Sequence, residues 1–529
     1  MLADTATTLL AHVLYLGMPV VLAVWAWAGL RLARANGGTV RGWLVANAVP
    51  LLVAAAVTIA IVLLVPLSLR MQFDETSLCG TSQNMHRHRI AMMATSAWPA
   101  AEGMVVTDWN LDKRPPLFPF LVSVLHDVAG YRIGNAFAVN AGLWFLLAAT
   151  LALAVRARLG NVAAATVPLL LAGVPLLTTA ATSAGFELLA TWLLAVVVLA
   201  ALAFAREPTA ARANWLLASG LLFAQSRYES IVVLVALVAT VAIVVRRWPR
   251  DRFGTFLLVA TPVLLAPIAL LLVHARDPAF YPEANGQTLV GLGHFVAHVL
   301  PFFGALFDPT ATGAMAGPLG LLALPGIGWW LASRHTPRAA ALVIAPLLVV
   351  TVVVLAWFYG DVHEPTALRL YLPAAVAAAL GPLLLLAQVR ARAVQFVVLA
   401  AAAGFAWFRI DAVRTERVLP PYTVAQALRA VDAALANVGP DATRTLLVST
   451  VAQYLLVHDL PAMSPDAFAR RERERDLAAF DVLVLETPLD ARLPQKGDPR
   501  AILRARRATL LGRIEGDLPV AVWRLTSGR

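Results

Sequence analysis

Long apolar runs separated by short arginine-bearing loops follow one another from residue 8 to residue 411. A bilayer crossing takes about 20 mostly apolar residues. The runs near 8–32, 43–68, 134–157, 162–181, 184–205, 213–226, 229–246, 255–274, 318–333, 339–359, 368–387 and 393–411 therefore read as about twelve transmembrane helices. Arginines in short loops mark the cytoplasmic side. In this threading Arg31/Arg34/Arg41, Arg156/Arg158, Arg206/Arg212, Arg246/Arg247/Arg250/Arg252, Arg334/Arg338 and Arg390/Arg392 all fall on one face. The N-terminus, residues 69–133, 275–317 and 360–367, and the C-terminal region fall on the other. Hydropathy alone does not impose that agreement.

Two apolar stretches do not fit as crossings. Residues 117–129 are too short and contain His126 and Asp127; residues 291–306 carry His294 and His298 and are interrupted by Pro301. Both are expected to lie in the interface or dip in from the outer face. The first run lacks a small-residue cleavage site and reads as a retained helix.

Beyond about residue 412 the pattern changes. Residues 423–436 have the spacing of an amphipathic helix, while Thr445–Thr450, Asp481–Glu486 and Pro519–Leu525 read as strands. Alternating helix and strand over about 110 residues predicts a small α/β domain. The mixed-sign run Arg470–Asp476 reads as a solvated helix face. The expected architecture is an α-helical polytopic membrane protein with a small C-terminal α/β soluble domain. It divides into an N-terminal helix and cytoplasmic loop (1–42), a membrane domain (43–411) and an outer domain (412–529).

Composition sharpens this picture. The 529 residues are 60% hydrophobic and 14% charged with mean hydropathy +0.74, well below the roughly 25% charge of soluble domains. The net charge of +11 sits largely in the loop clusters that orient a membrane protein, so nucleic acid is not an expected partner. Cys79 is the sole cysteine, which excludes an intrachain disulfide. Lysine occurs only at Lys113 and Lys496.

Residues 69–116 are the one charge-dense island in the first 270 residues. Asp74 and Glu75 stand where the chain leaves the outer membrane face. A carboxylate beside low-dielectric lipid is expected to have a raised pKa, suited to taking a proton from a hydroxyl. Lys113 and Arg114 close the island, stiffened by Pro115 and Pro116, and could hold an anionic lipid phosphate. Arg227, Tyr228 and Glu229 interrupt the apolar region at the same face; Arg227 is either a phosphate contact or half of a structural Arg–Glu pair. In the 360–372 segment, Asp361, His363 and Glu364 could ligate a metal, but the spacing matches no specific site. Arg369 and Tyr371 are better placed for phosphate or substrate. His274, His294 and His298 read as interfacial polar residues. There is no G-x-x-x-x-G-K-[ST] loop, no G-x-S-x-G elbow and no H-E-x-x-H, so ATP-driven transport and hydrolase chemistry lack support.

The ordered set of Asp74-Glu75, Lys113-Arg114-Pro115-Pro116-Leu117, Arg227 and Arg369-Leu370-Tyr371-Leu372-Pro373 resembles the GT-C superfamily of integral-membrane glycosyltransferases. Within it, the set is similar to the dolichyl-phosphate-mannose protein mannosyltransferase and lipid A aminoarabinose transferase group. The resemblance covers about residues 43–411. The chain departs from the pattern in its helix at 8–32, in Arg114, and in Glu187, which stands where the family often has an aspartate.

The resemblance implies inverting transfer of a hexosyl or pentosyl group from a polyprenyl-phosphate-linked donor. The acceptor would be a lipid, glycan or protein on the outer face of a bacterial cytoplasmic membrane. Asp74 would be the general base, with Glu75 orienting the acceptor or sharing that task. Lys113, Arg114, Arg227 and Arg369 would bind the donor phosphate, and Tyr228, His363 and Tyr371 would contact substrate. No metal or cofactor is implied. A transporter or flippase of a lipid-linked substrate is the main alternative; it calls for charges near mid-bilayer and symmetric halves.

Overall fold

The computed structural model describes the chain apart from residues 1, 38–39, 71, 102, 246–247, 250, 275–289, 311–312, 333–336, 358–359, 364, 387–390, 416–422, 472–479, 491–495, 516–518 and 526–529. The N-terminal helices are α1 (Leu2–Ala35), α2 (Val40–Ala46) and α3 (Ala48–Leu64). The polar island then folds into α4 (Gln72–His88), a hairpin of β1 (Met93–Ala100) and β2 (Gly103–Asn110), and α5 (Leu117–Ala129). Next comes α6 (Gly134–Ala172), which is two helices joined at Gly160. Its backbone there is left-handed and extended (φ 84°, ψ −176°), a conformation open chiefly to glycine. The break falls where two crossings were expected to meet. The second of them ends early, because Gly173 and Pro175 separate it from α7 (Pro175–Ala181).

Membrane-domain helices continue as α8 (Glu187–Arg206), α9 (Ala210–Ala224), α10 (Ser230–Val244), α11 (Arg252–Leu264), α12 (Ala266–His274), α13 (Leu292–Phe307), α14 (Pro318–Ala332) and α15 (Pro337–Ala356). They end with α16 (Pro365–Leu368), a 3₁₀ turn (Arg369–Tyr371), α17 (Leu372–Leu380), α18 (Pro382–Leu386) and α19 (Arg392–Arg414). Six described segments are long and apolar enough to cross a membrane: Thr5–Ala35, Gly134–Ala172, Glu187–Arg206, Arg338–Ala356, Arg369–Leu386 and Ala393–Arg414. Several other expected crossings are shorter apolar helices, such as Ala48–Leu64 and Ser230–Val244. The helix expected over 291–306 is α13. It turns Leu292, Val296 and Leu300 outward along one stripe, as a helix lying against lipid would.

α8 is apolar nearly all round and buried along its length, with Glu187 as its one acidic residue at the start. α19 runs on to Arg414, so the membrane domain ends about one turn later than the hydropathy suggests.

The C-terminal region contains α20 (Thr423–Val438), β3 (Thr445–Val448), α21 (Ala452–Val457), β4 (Ala462–Met463), α22 (Pro465–Arg471), β5 (Asp481–Glu486), α23 (Pro499–Ala505), β6 (Ala508–Ile514) and β7 (Val520–Leu525). The sheet order is β4-β3-β5-β7-β6, parallel across β4, β3 and β5 and antiparallel across β5, β7 and β6. All three expected strands are present; β4 and β6 were not foreseen. Of the run Arg470–Asp476, Arg470 and Arg471 close α22 and the rest lies outside the described residues.

This domain is fastened to the island. Trp98 of β1, 1% exposed, joins the core formed by Leu446, Val448, Met463 and Phe468. Burying so large a side chain contributes on the order of 3 kcal/mol. Arg87 of α4 donates two hydrogen bonds to Asp459 (2.7 and 2.8 Å), and Gln83 adds a third at 2.8 Å. Thus α4 is gripped at its C-terminal end by the C-terminal domain and carries Asp74 at its other end.

Candidate functional site

Four helices begin at one place. Asp74 and Glu75 lie in the first turn of α4, Glu187 opens α8, Glu229 precedes α10, and Lys113-Arg114 lead through Pro115-Pro116 into α5. First-turn N–H groups are unpaired within a helix, and the aligned peptide dipoles favour negative charge there. The sequence meets that field with carboxylates and then balances them with cations from other segments. A phosphate is the other anion such a convergence suits.

The balance is a continuous chain of ion pairs. The two oxygens of Asp74 are each taken by a guanidinium, Oδ1 by Arg114 and Oδ2 by Arg369. Arg114 also reaches Asp112 at 2.7 Å. Arg369 extends its other nitrogen to Glu187 at 2.8 Å, and Arg227 approaches the same Glu187 oxygen at 3.6 Å. Glu229 holds Arg227 through two bonds of 3.1 Å, and the Arg227 guanidinium sits 4.7 Å over the Phe186 ring. Glu187 is 4% exposed, whereas Asp74 keeps 24% of its side chain accessible. The carboxylate open to a substrate is Asp74.

Glu75 has a different place from the one expected. Its side chain is fully buried; Oε2 accepts from the Arg70 N–H at 2.5 Å and Oε1 from the Ala184 N–H at 3.1 Å. Arg70 in turn bonds Ser68 and Thr182 at 2.8 and 2.9 Å. Glu75 therefore stitches the end of the first loop to the loop before α8, fixing Asp74 relative to Glu187. Glycine at 185 serves the same junction, since any Cβ there would strike the Glu187 carboxylate. Replacing Glu75 with Gln is expected to cost about 1–3 kcal/mol, because an amide cannot accept both N–H groups. The readout is a lower unfolding temperature in detergent. A variant as stable as the wild type yet inactive would instead give Glu75 a part in the chemistry.

The expectation of a raised Asp74 pKa is reversed. Burial does push the carboxyl up, but Arg114, Arg369 and Lys113 outweigh it and hold Asp74 well below the usual carboxylate range. Burial and the neighbouring Arg114 push the Lys113 ammonium down, partly offset by Asp74, Asp112 and Glu229. The same burial raises the Tyr228 phenol, as does Glu229.

Asp74, Lys113, Arg114, Arg227, Tyr228 and Arg369 are thus brought together, although they span almost 300 residues. Two other candidates are not. Tyr371 is buried beside Phe302 (ring centroids 4.8 Å apart) and donates to the Gly360 carbonyl at 2.5 Å; it props the 360 loop. His363 is exposed, and its backbone N–H caps Asp361 at 2.9 Å. Glu364 lies outside the described residues. Among the described residues no group of three or more His, Cys, Asp or Glu could hold a metal. Glu187, noted in the sequence only as a departure from a pattern, proves to be the bridge between Arg369 and Arg227. It is the sole carboxylate between Asp127 and Glu207, and an isolated acid in an apolar run is a functional signal.

Behind the cations, a slot lined by Ala190, Leu194, Phe223, Val233, Val350 and Val354 opens between α8, α9, α10 and α15, with Glu187, Arg227, Glu229 and Arg369 among its polar lining residues. Cations at the head and apolar walls behind match the chemistry of an amphiphilic anion.

Comparison with solved structures agrees with this architecture. The chain is similar to ArnT from Cupriavidus metallidurans bound to undecaprenyl phosphate (TM-score 0.57, 14% identity, 92% of this chain and 98% of that one). It is equally similar to the apo state of that protein (TM-score 0.57, 15% identity, the same coverage). Arabinosyltransferase EmbB from Mycobacterium smegmatis also matches, at TM-score 0.35 and 16% identity over 79% of this chain and 46% of that one. No family model matches the chain, and no curated protein matches its sequence. The chain thus shares the fold of the ArnT structures over 92% of its length.

Proposed function

We propose that this protein is a membrane glycosyltransferase that moves a sugar from a polyprenyl-phosphate carrier to an acceptor hydroxyl at the outer face of the cytoplasmic membrane. The observation that carries the reading is the Asp74 carboxylate shared between Arg114 and Arg369, at the head of an apolar slot. The bound undecaprenyl phosphate of the similar ArnT structure supports a carrier of this chemical class.

In the resting site Asp74 occupies guanidinium groups that a donor phosphate would also seek. An arriving phosphate competes for Arg369 and Arg227, whose planar forks match its oxygens. As Asp74 loses a cation and gains an anionic neighbour, its pKa climbs toward the range of a working base. The acceptor oxygen then bonds to the anomeric carbon as the carbon–phosphate oxygen bond breaks. The bonding pair leaves with the carrier phosphate, and the hydroxyl proton passes to Asp74. Arg114, Arg227 and Arg369 stabilise the charge growing on the leaving phosphate. A single displacement of this kind inverts the anomeric centre. The slot holds only about 40 Å³ here, so the carrier's first isoprene units must spread its walls.

The exchange of partners has a kinetic consequence. In the free enzyme the arginines keep Asp74 ionised far into the acid range, so kcat/KM, which reports that state, should not fall through its protonation near ordinary carboxylate pH. In the ternary complex the pKa is higher, and kcat should lose activity at a higher pH as acid is added. The acid limb of kcat is therefore expected above that of kcat/KM. Coincident limbs would remove the competition between phosphate and carboxylate.

A further inference from the structure

A second cavity, about 610 Å³, lies between the β1–β2 hairpin and the C-terminal domain and takes no part in the donor chemistry. β2 lends it Asp108, Trp109 and Asn110; the outer domain lends Gln453, Arg471 and Lys496. Arg471 reaches across to Asp108 at 2.5 Å, joining the two sides, and burial pushes the Lys496 ammonium down. We propose that this cleft is the acceptor subsite and that it holds the carbohydrate portion of a glycan acceptor. The proposal rests on the glycosyltransferase reading and narrows its acceptor.

Three observations carry it. The cavity is within the roughly 300–1,000 Å³ of ordinary ligand sites, but its lining is largely polar, which disfavours a lipid chain. Amides, a paired guanidinium and carboxylate, and an ammonium offer the in-plane donors and acceptors that neighbouring hydroxyls need. Trp109 adds an indole, whose apolar body and polar N–H suit the mixed surface of a sugar ring.

The position is also right. Asn110 stands four residues before Arg114, and an extended chain of that length spans at most about 14 Å. Leu111 and Asp112 between them are buried, and Asp112 holds Arg114. The Asn110 end of the cleft therefore lies within about 14 Å of the Arg114 backbone, the gap that a bound acceptor would span to reach Asp74. Trp98 and the Arg87–Asp459 pair keep the two walls in register.

The test uses full-length protein in lipid nanodiscs, applied to an array of bacterial-surface oligosaccharides and, in parallel, to an array of serine- and threonine-containing peptides. The wild type should retain a subset of the oligosaccharides, and Gln453→Ala and Lys496→Ala should each weaken that retention about tenfold, the worth of one charge-assisted or amide hydrogen bond. Both variants should bind undecaprenyl phosphate as the wild type does, which shows them folded. Retention of peptides with no oligosaccharide, or oligosaccharide binding that both variants leave unchanged, would overturn the subsite. Loss of the donor reading would show separately, as undecaprenyl phosphate binding that Arg369→Ala does not alter.

Discussion

Asp74→Asn is expected to abolish sugar transfer while sparing, or even tightening, the binding of undecaprenyl phosphate. A positioned general base contributes about 10²–10⁴-fold, and an amide of the same shape cannot take the acceptor proton. The second half of the expectation follows from the ion-pair chain. Asp74 neutralises Arg114 and Arg369, so removing its charge leaves both guanidinium groups more available to a rival anion. Initial rates with a polyprenyl-phosphate sugar and titration with undecaprenyl phosphate separate the two effects. Transfer at wild-type rate would dismiss Asp74 as the base, and a large loss of phosphate affinity would show that carboxylate and phosphate do not compete.

Replacing Arg369 with Ala should be nearly as damaging, and on both counts. Deleting a group aimed at developing charge costs about 10²–10³ in kcat. In addition, Glu187 loses its 2.8 Å partner while 4% exposed, and stranding a buried charge costs about 3–5 kcal/mol. A double replacement of Arg369 by Ala and Glu187 by Gln should recover much of the thermal stability in detergent and none of the transfer. Arg369→Lys should fall between, since one ammonium cannot span Asp74 and Glu187 together. If the double replacement restored activity along with stability, Arg369 would be a structural ion-pair partner only.

Much of this was legible in the chain itself because the bilayer is a severe solvent. Helices such as Glu187–Arg206 and Arg392–Arg414 announce themselves by apolar length, and buried strands such as Asp481–Glu486 by β-branched runs between turn residues. Asp74, Arg114, Arg227 and Arg369 stood out because charge interrupts otherwise apolar surroundings. What stayed hidden depends on pairing at a distance. The hairpin Met93–Asn110 contains Pro99 and lacks a clean alternation; its strands are held by each other and by Trp98 in the core of a domain 350 residues away. Glu75 and Asp74 are adjacent in sequence, yet the helix turns one onto backbone amides and the other toward the arginines. Adjacency could not say which was which. The lowered Asp74 pKa was equally out of reach, since it arises where Arg114 and Arg369 meet one carboxylate and outweigh the upward push of burial.

A carrier phosphate and the Asp74 carboxylate are expected to compete for the same arginines. A structure of the protein in nanodiscs with undecaprenyl phosphate bound tests it most directly. Phosphate density is expected between Arg227 and Arg369, with the prenyl chain entering between α8 and α10 and Asp74 released from Arg369. A phosphate bound elsewhere, with Asp74 still shared between Arg114 and Arg369, would contradict it.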